Sequence, residues 1–256
     1  MTDEHREMQL MDLIRPDLPL RSWAMRMSWH DLLFAHWPVD PALLRQHIPA
    51  PFEIDTFQGK AWIAVVPFYM TNVTPRFVPP MPCVSAFAEL NVRTYVHIGG
   101  KRGVWFFSLD AASRVAVRIA RWRFFLPYFD ARMSLRKQAE GWINYSSRRT
   151  HRGAKPAEFI ASYRPTGEIA PSQKGTIEQW LTERYWLFSV DRAGRGWSGQ
   201  VDHVPWPLQI AECRFERNTM TEPLGISLTG DPLLHFARRL DVVAWTIERI
   251  DPIGNP

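Results

Sequence analysis

The stretch Phe87-Ala88-Glu89-Leu90-Asn91-Val92-Arg93-Thr94-Tyr95-Val96-His97-Ile98 runs on through Gly99-Gly100-Lys101-Arg102-Gly103 into Val104-Trp105-Phe106-Phe107-Ser108-Leu109-Asp110. It decides the fold. A strand is expected from Val84 to Ile98, the glycines turn the chain, and Val104 to Leu109 pairs back as a hairpin. In an extended chain Glu89, Asn91, Arg93 and Tyr95 share one face. Flanked by apolar strands, such a row is either a wet outer face or the lining of a polar pocket, and the pocket reading is slightly ahead. Glu89 sits among Phe87, Ala88 and Leu90. Turned inward, its carboxylate is desolvated, takes a raised pKa and suits a general acid or base. Arg93 lies about 13 Å along the strand from Glu89, Cα to Cα, so a direct pair needs both side chains to lean inward. Arg123 or Tyr128, from another element, is at least as good a partner.

Working outward, Asp110 reads as the cap of a helix from Ala111 to about Trp122. Val115, Ile119 and Trp122 make its apolar face, and Arg114, Arg118 and Arg121 the opposite one. The helix closes on Pro127-Tyr128-Phe129. Upstream, residues 1–21 read as an N-terminal arm with one helical turn that packs on a partner subunit. Ser22 to Trp37 contains strand, and Asp40-Pro41 starts a short helix through His47. Phe52–Phe57 and Ala61–Met70 form a second hairpin about Gln58-Gly59-Lys60, and Pro75–Pro82 is a loop and an edge. Downstream, strands are expected at Arg132–Leu135, Gly141–Thr150, Ala157–Tyr163, Tyr185–Val190, Trp197–Val204, Leu208–Phe215 and Val242–Ile250. A short helix spans Thr176–Thr182. Residues 22–250 form a single β-dominated α+β domain, with 251–256 as a tail.

Composition narrows the classes. At 256 residues and 46% hydrophobic, the chain can bury a sizeable core. Twelve Trp and fifteen Phe suit a closed β structure or a ligand chamber, and 21 Pro argue against a helix bundle. No apolar run approaches the roughly 20 residues that cross a bilayer, and the charged start lacks the apolar core of a signal peptide. The two cysteines, Cys83 and Cys213, are then reduced thiols in the cytoplasm. The net charge of +5 comes from scattered arginines. Their densest cluster, Arg114, Arg118, Arg121 and Arg123, reads as a solvated face plus a subunit contact. No nucleic-acid motif supports it. Gripping an anionic small molecule is a third reading.

Other motifs carry less. Gly194-Arg195-Gly196-Trp197-Ser198-Gly199 matches the dinucleotide fingerprint literally but lies between two strands, so it reads as a hairpin turn and implies no cofactor. The eight histidines show no metal-ligand spacing. His36-Trp37 and His203-Val204-Pro205-Trp206 each set an imidazole beside an indole, as in the wall of a chamber. A core histidine bonded to backbone is the plainer reading of either one alone.

Several phrases together resemble the YqjF-like family of bacterial proteins. They are Leu33-Phe34-Ala35-His36-Trp37-Pro38-Val39, Ala61-Trp62-Ile63-Ala64-Val65-Val66-Pro67-Phe68, Phe87 to Val96, Gly103 to Asp110, Leu126-Pro127-Tyr128 and His203-Val204-Pro205-Trp206-Pro207-Leu208. That family is in turn remotely similar to acetoacetate decarboxylase. The resemblance implies a cone-shaped or double β-barrel with a few short helices, a buried chamber and a homo-oligomer. In the decarboxylase two lysines after a proline carry Schiff-base chemistry. Here the matching place is Pro127-Tyr128-Phe129, so that chemistry is not expected, while Glu89 matches a chamber glutamate.

The chamber is expected to take a small organic acid or carbonyl compound, with no metal, nucleic acid or membrane involved. Glu89 and Tyr128 would be the catalytic pair. Arg93 or Arg123 would hold a carboxylate, Asn91 and Tyr95 would donate hydrogen bonds, and His36, Trp37, His203 and Trp206 would form walls. If the chain is an enzyme, lysine-independent lyase or hydratase chemistry fits these groups. A non-catalytic binding or sensing protein, and an Arg-rich interaction protein, are the alternatives.

Overall fold

The computed structural model describes residues 15–77 and 85–250. In chain order the elements are β1 (Met25–Val39), α1 (Pro41–Arg45), β2 (Glu53–Ile54), β3 (Ala61–Pro75), β4 (Phe87–Ile98), β5 (Lys101–Ala111) and α2 (Arg114–Arg123). They continue with β6 (Tyr128–Lys137), β7 (Ile143–Arg149), β8 (Glu158–Pro165), α3 (Ile177–Thr182), β9 (Trp186–Val190), β10 (Gly196–Asp202), β11 (Gln209–Asn218), β12 (Leu233–Ala244) and β13 (Glu248–Arg249). None of these helices is long and apolar enough to cross a membrane.

The expected central hairpin is present. β4 and β5 pair antiparallel from Ile98↔Lys101 to Glu89↔Ala111. Gly99 and Gly100 take φ of 53° and 76°, the left-handed pair that a two-residue hairpin turn favours. All strands join one sheet, and the sheet closes on itself twice. β5 forks: Leu109–Ala111 pairs parallel with β6, whereas Gly103–Trp105 pairs parallel with β9. β12 forks in the same way. His235 and Phe236 pair with β11, and Val243 and Ala244 with β10. One ring therefore runs β5-β6-β7-β8-β11-β12-β1-β3-β4, and the second returns through β9 and β10 instead. The strands β12, β1, β3, β4 and β5 form the wall between them.

That shared wall explains the sequence of β4. A strand flanked by two interiors is buried on both faces, so charge on one face does not mean solvent. Leu90, Val92 and Val96 point into the first ring, a packed core that includes Tyr145, Phe159 and Phe236. Glu89, Asn91 and Arg93 point into the second ring and line a cavity. β1 and β3 divide in the same way. Leu33, Ala35, Ile63 and Val65 enter the packed core, and Phe34, Ala64, Val66 and Phe68 the other.

Several expectations are corrected. Phe52–Phe57 does not form a hairpin with β3. Only Glu53–Ile54 is strand, and it pairs with His97 and Val96 of β4, while Phe57 meets Lys60 in a lone bridge. The helix after β5 begins at Arg114, capped by Ser113, because Asp110 stays in the strand. The Asp110 carboxylate is committed to Arg149, at 2.7 Å. The face of α2 expected to be inside is largely outside: Val115 and Trp122 are 54% and 77% exposed, and Ile119, though it borders the cavity, is 49% exposed. The helix turns its small residues inward, with Ala116 and Ala120 lining the cavity and Val117 fully buried. Small side chains let a helix lie close over a sheet.

The closing strand was placed too late, at Val242–Ile250. β12 starts at Leu233, and its burial is not alternating, since the adjacent Phe236 and Ala237 face different interiors. Of the arm expected to pack on a partner, residues 1–14 lie outside the described residues. The described part lies on its own chain: Arg15 pairs with Asp202, Arg21 donates to the Thr246 carbonyl, and Gln200 donates to that of Asp17. The tail 251–256, Cys83 and most of the Pro75–Pro82 loop are also outside. Cys213 is a free thiol pushed up to about 12 by burial.

Candidate functional site

The cavity of the second ring has a volume of about 240 Å3. Six of the residues singled out from the sequence line it: Glu89, Asn91, Arg93, Tyr128, His203 and Trp206.

Glu89 is held in mid-strand, opposite Phe68 of β3 and Ala111 of β5. Its carbonyl accepts from the Tyr145 hydroxyl at 2.7 Å, which locks the backbone from the packed side. The side chain emerges on the cavity side, 2% exposed, and accepts from the Tyr128 hydroxyl at 3.0 Å. Burial raises its pKa to about 8, with the Tyr128 hydrogen bond opposing and the negative Asp110 adding to the rise. Glu89 is therefore a carboxylic acid at neutral pH, able to donate as well as accept. Tyr128 reaches it because α2 ends abruptly. Phe124 caps the helix and Phe125 takes a left-handed φ of 53°, so the chain reverses and enters β6 at Tyr128. Arg121 fixes the entry by donating to the Tyr128 carbonyl at 2.6 Å. Burial, reinforced by Glu89, keeps the Tyr128 hydroxyl protonated well past its ordinary range.

Arg93 stands farther along the same face, 8% exposed. Its guanidinium lies 5.8 Å from the centre of the Tyr95 ring, and the Tyr95 hydroxyl shares a 2.7 Å hydrogen bond with His36 Nε2. Burial, and then Arg93, hold His36 well below its ordinary range, so the ring is neutral. Arg93 has no ion pair among the described residues, and its Nε and Nη2 have no hydrogen-bond partner there. Asn91 Oδ1 is likewise unpartnered. His203 hydrogen-bonds the Val204 carbonyl at 2.8 Å, stacks on Tyr185 and meets Trp206 edge-on; burial lowers its pKa.

The remaining four differ. His36 and Tyr95 stand behind Arg93 rather than on the cavity surface. Trp37 is on the opposite face of β1 from His36, packed on Phe215 in the first ring with its indole donating to Gly230. Strand alternation sends neighbours to different interiors. Arg123 is exposed at the last turn of α2, its guanidinium over Phe124. Arg184 was missed. It lines the cavity, pairs with Asp55 at 2.7 Å and stacks on Trp180 and Tyr95. Nothing in Thr182-Glu183-Arg184-Tyr185 marks it, since its surroundings include Asp55 and Tyr95 from distant parts of the chain.

The lysines, Lys60, Lys101, Lys137, Lys155 and Lys174, are all exposed, and none lines the cavity. The place after Pro127 is filled by Tyr128.

With this geometry in hand, comparison with known proteins is informative. The profile of the DUF2071 family, described as an uncharacterized conserved protein, matches residues 26–241. The chain belongs to the DUF2071 family. It is 45% identical to the protein YqjF of Bacillus subtilis (strain 168) over 228 residues, which cover 89% of this chain and 93% of that one. Solved structures carry the fold farther than sequence does. An acetoacetate decarboxylase-like enzyme from Sphingomonas wittichii RW1 is similar with a TM-score of 0.62 at 13% identity, covering 94% of this chain and 98% of its own. Acetoacetate decarboxylase from Legionella pneumophila gives 0.60 at 13%, covering 94% of each. The enduracididine biosynthesis enzyme MppR, complexed with pyruvate, gives 0.60 at 10%, covering 91% and 93%. This DUF2071 chain thus has the acetoacetate-decarboxylase-like fold.

Proposed function

We propose that the chain binds a small organic acid or carbonyl compound in the cavity and acts on it by proton transfer through Glu89 and Tyr128, without an imine. The observation that carries this reading is Arg93. A buried cation without a counter-ion is costly, and a ligand carboxylate would supply both the charge and acceptors for Nε and Nη2. Glu89, on the same face, would donate its proton to a ligand oxygen or carbanion and, when ionised, take one from carbon. Tyr128 would stabilise whichever form results. This is lyase or hydratase chemistry. The exposure of every lysine argues against a Schiff base, which needs an amine desolvated in the site. MppR, a protein of similar fold, has been solved in complex with pyruvate, a 2-oxo acid, which is in keeping with this ligand class.

Calorimetry with small carboxylic and 2-oxo acids tests the reading. Arg93→Gln should weaken binding at least tenfold, the scale of a charged hydrogen bond. Glu89→Gln separates an enzyme, which loses turnover and keeps its ligand, from a binding or sensing protein. A covalent adduct trapped by borohydride would overturn the imine-free chemistry.

A further inference from the structure

We propose that the acid held by Arg93 carries an apolar body of about six carbons or more. This rests on the carboxylate reading of Arg93 and adds the substrate class. The cavity of about 240 Å3 has room for roughly eight water volumes, whereas a three-carbon acid needs only about three. Its polar groups on β4 follow one another as Arg93, Asn91 and Glu89, and the next residue on that face is Phe87. Phe87 pairs across to Met70 of β3, and Met25, Met27 and Val73 complete an apolar end. From Arg93 to Phe87 the strand advances about 20 Å, Cα to Cα. A ligand with its carboxylate on Arg93 points its chain past Asn91 and Glu89 towards this apolar end, and each added carbon brings it closer. Methionine side chains are unbranched and polarisable, which suits a flexible hydrocarbon. A short keto acid would leave that end empty and gain nothing from it.

The test is a homologous series. Straight-chain carboxylates from acetate to decanoate, with pyruvate and 1-octanol, are titrated into the wild-type chain, Arg93→Gln and Val73→Phe. Affinity should rise about fourfold per methylene until the cavity is full. Pyruvate should bind no better than acetate, and octanol at least tenfold more weakly than octanoate. Val73 is partly exposed, so phenylalanine can be accommodated there; it should remove the gain for the longest acids and leave butyrate unchanged. A flat series, with acetate and pyruvate binding through Arg93, overturns this inference and leaves the proposed function standing. Long acids that bind all three proteins equally overturn it too, because the cavity is then not their site. No binding by any acid overturns both.

Discussion

The Tyr128 hydroxyl donates to Glu89 Oε2 at 3.0 Å in the wall of the cavity, joining β6 to β4. Both residues line the cavity, and the pair has a signature in pH. The Glu89 pKa is raised from 4.5 to about 8 by burial. Below pH 4.5 folded and unfolded chains are both protonated there, and the residue adds no pH dependence. Between pH 4.5 and 8 the unfolded chain ionises while the folded one does not, so stability falls as pH rises. Above about 8 the loss is complete, on the order of 5 kcal/mol. Glu89→Gln should therefore match the wild type near pH 4 and exceed it increasingly up to pH 8. Urea denaturation across that range checks it, and parallel pH profiles would place Glu89 in solvent.

Tyr128→Phe removes the one hydrogen bond that lowers the Glu89 pKa. The glutamate should then titrate above 8, read from its carboxyl carbon shift by NMR. Stability at neutral pH should drop by about 1 kcal/mol, the ordinary worth of such a bond. An unchanged Glu89 titration would mean that the hydroxyl does not contact the carboxyl in solution.

Much of the site was legible because alternation is a local property. Glu89, Asn91 and Arg93 share a face in any strand, and the flanking apolar residues correctly weighed against a wet surface. Tyr128 was named beside Arg123 as a partner for Glu89 from another element, and of the two it is Tyr128 that reaches the carboxyl. What failed depended on the second ring. Trp37 was grouped with His36 because they adjoin in sequence, but a wall between two interiors sends them apart. The apolar stripe on α2 looked like a buried face, whereas the helix packs through Ala116 and Ala120, whose smallness carries no hydrophobic signal. Arg184 has its environment assembled from Asp55 just after β2, Tyr95 of β4 and Trp180 of α3, and no window of sequence contains all three.

Asp110 and Arg149 form a buried pair at 2.7 Å, with Phe129 under the guanidinium at 4.3 Å. Burial raises the Asp110 pKa against the pull of Arg149. Removing one member strands the other charge, so Arg149→Met should cost about 3–5 kcal/mol, and adding Asp110→Leu should restore most of it. Thermal melts of the single and double variants decide this. A small loss in Arg149→Met alone would show that solvent reaches Asp110.

Trp122→Ala tests the outward face of α2. At 77% exposure the indole has little packing to lose, and stability should change by no more than about 0.5 kcal/mol. A loss above about 1 kcal/mol, measured by urea denaturation, would mean that the face is covered in solution.

Gly103 is the point at which β5, still paired with β4 at Val96, meets β9 along its other edge. A Cβ there would stand 2.4 Å from the Trp186 carbonyl oxygen and 2.7 Å from its carbon, both backbone atoms that cannot rotate away. Gly103→Ala must push β9 off β5, at a cost of roughly 2–3 kcal/mol for overpacking. The effect should extend to the site, because Trp186 and Leu187 of β9 line the cavity. The variant should thus lose both stability in urea denaturation and affinity for whatever acid the wild type binds. Retention of both would mean that the two strands stand farther apart than the fork requires. The second ring would then owe its closure to β10 and β12 alone.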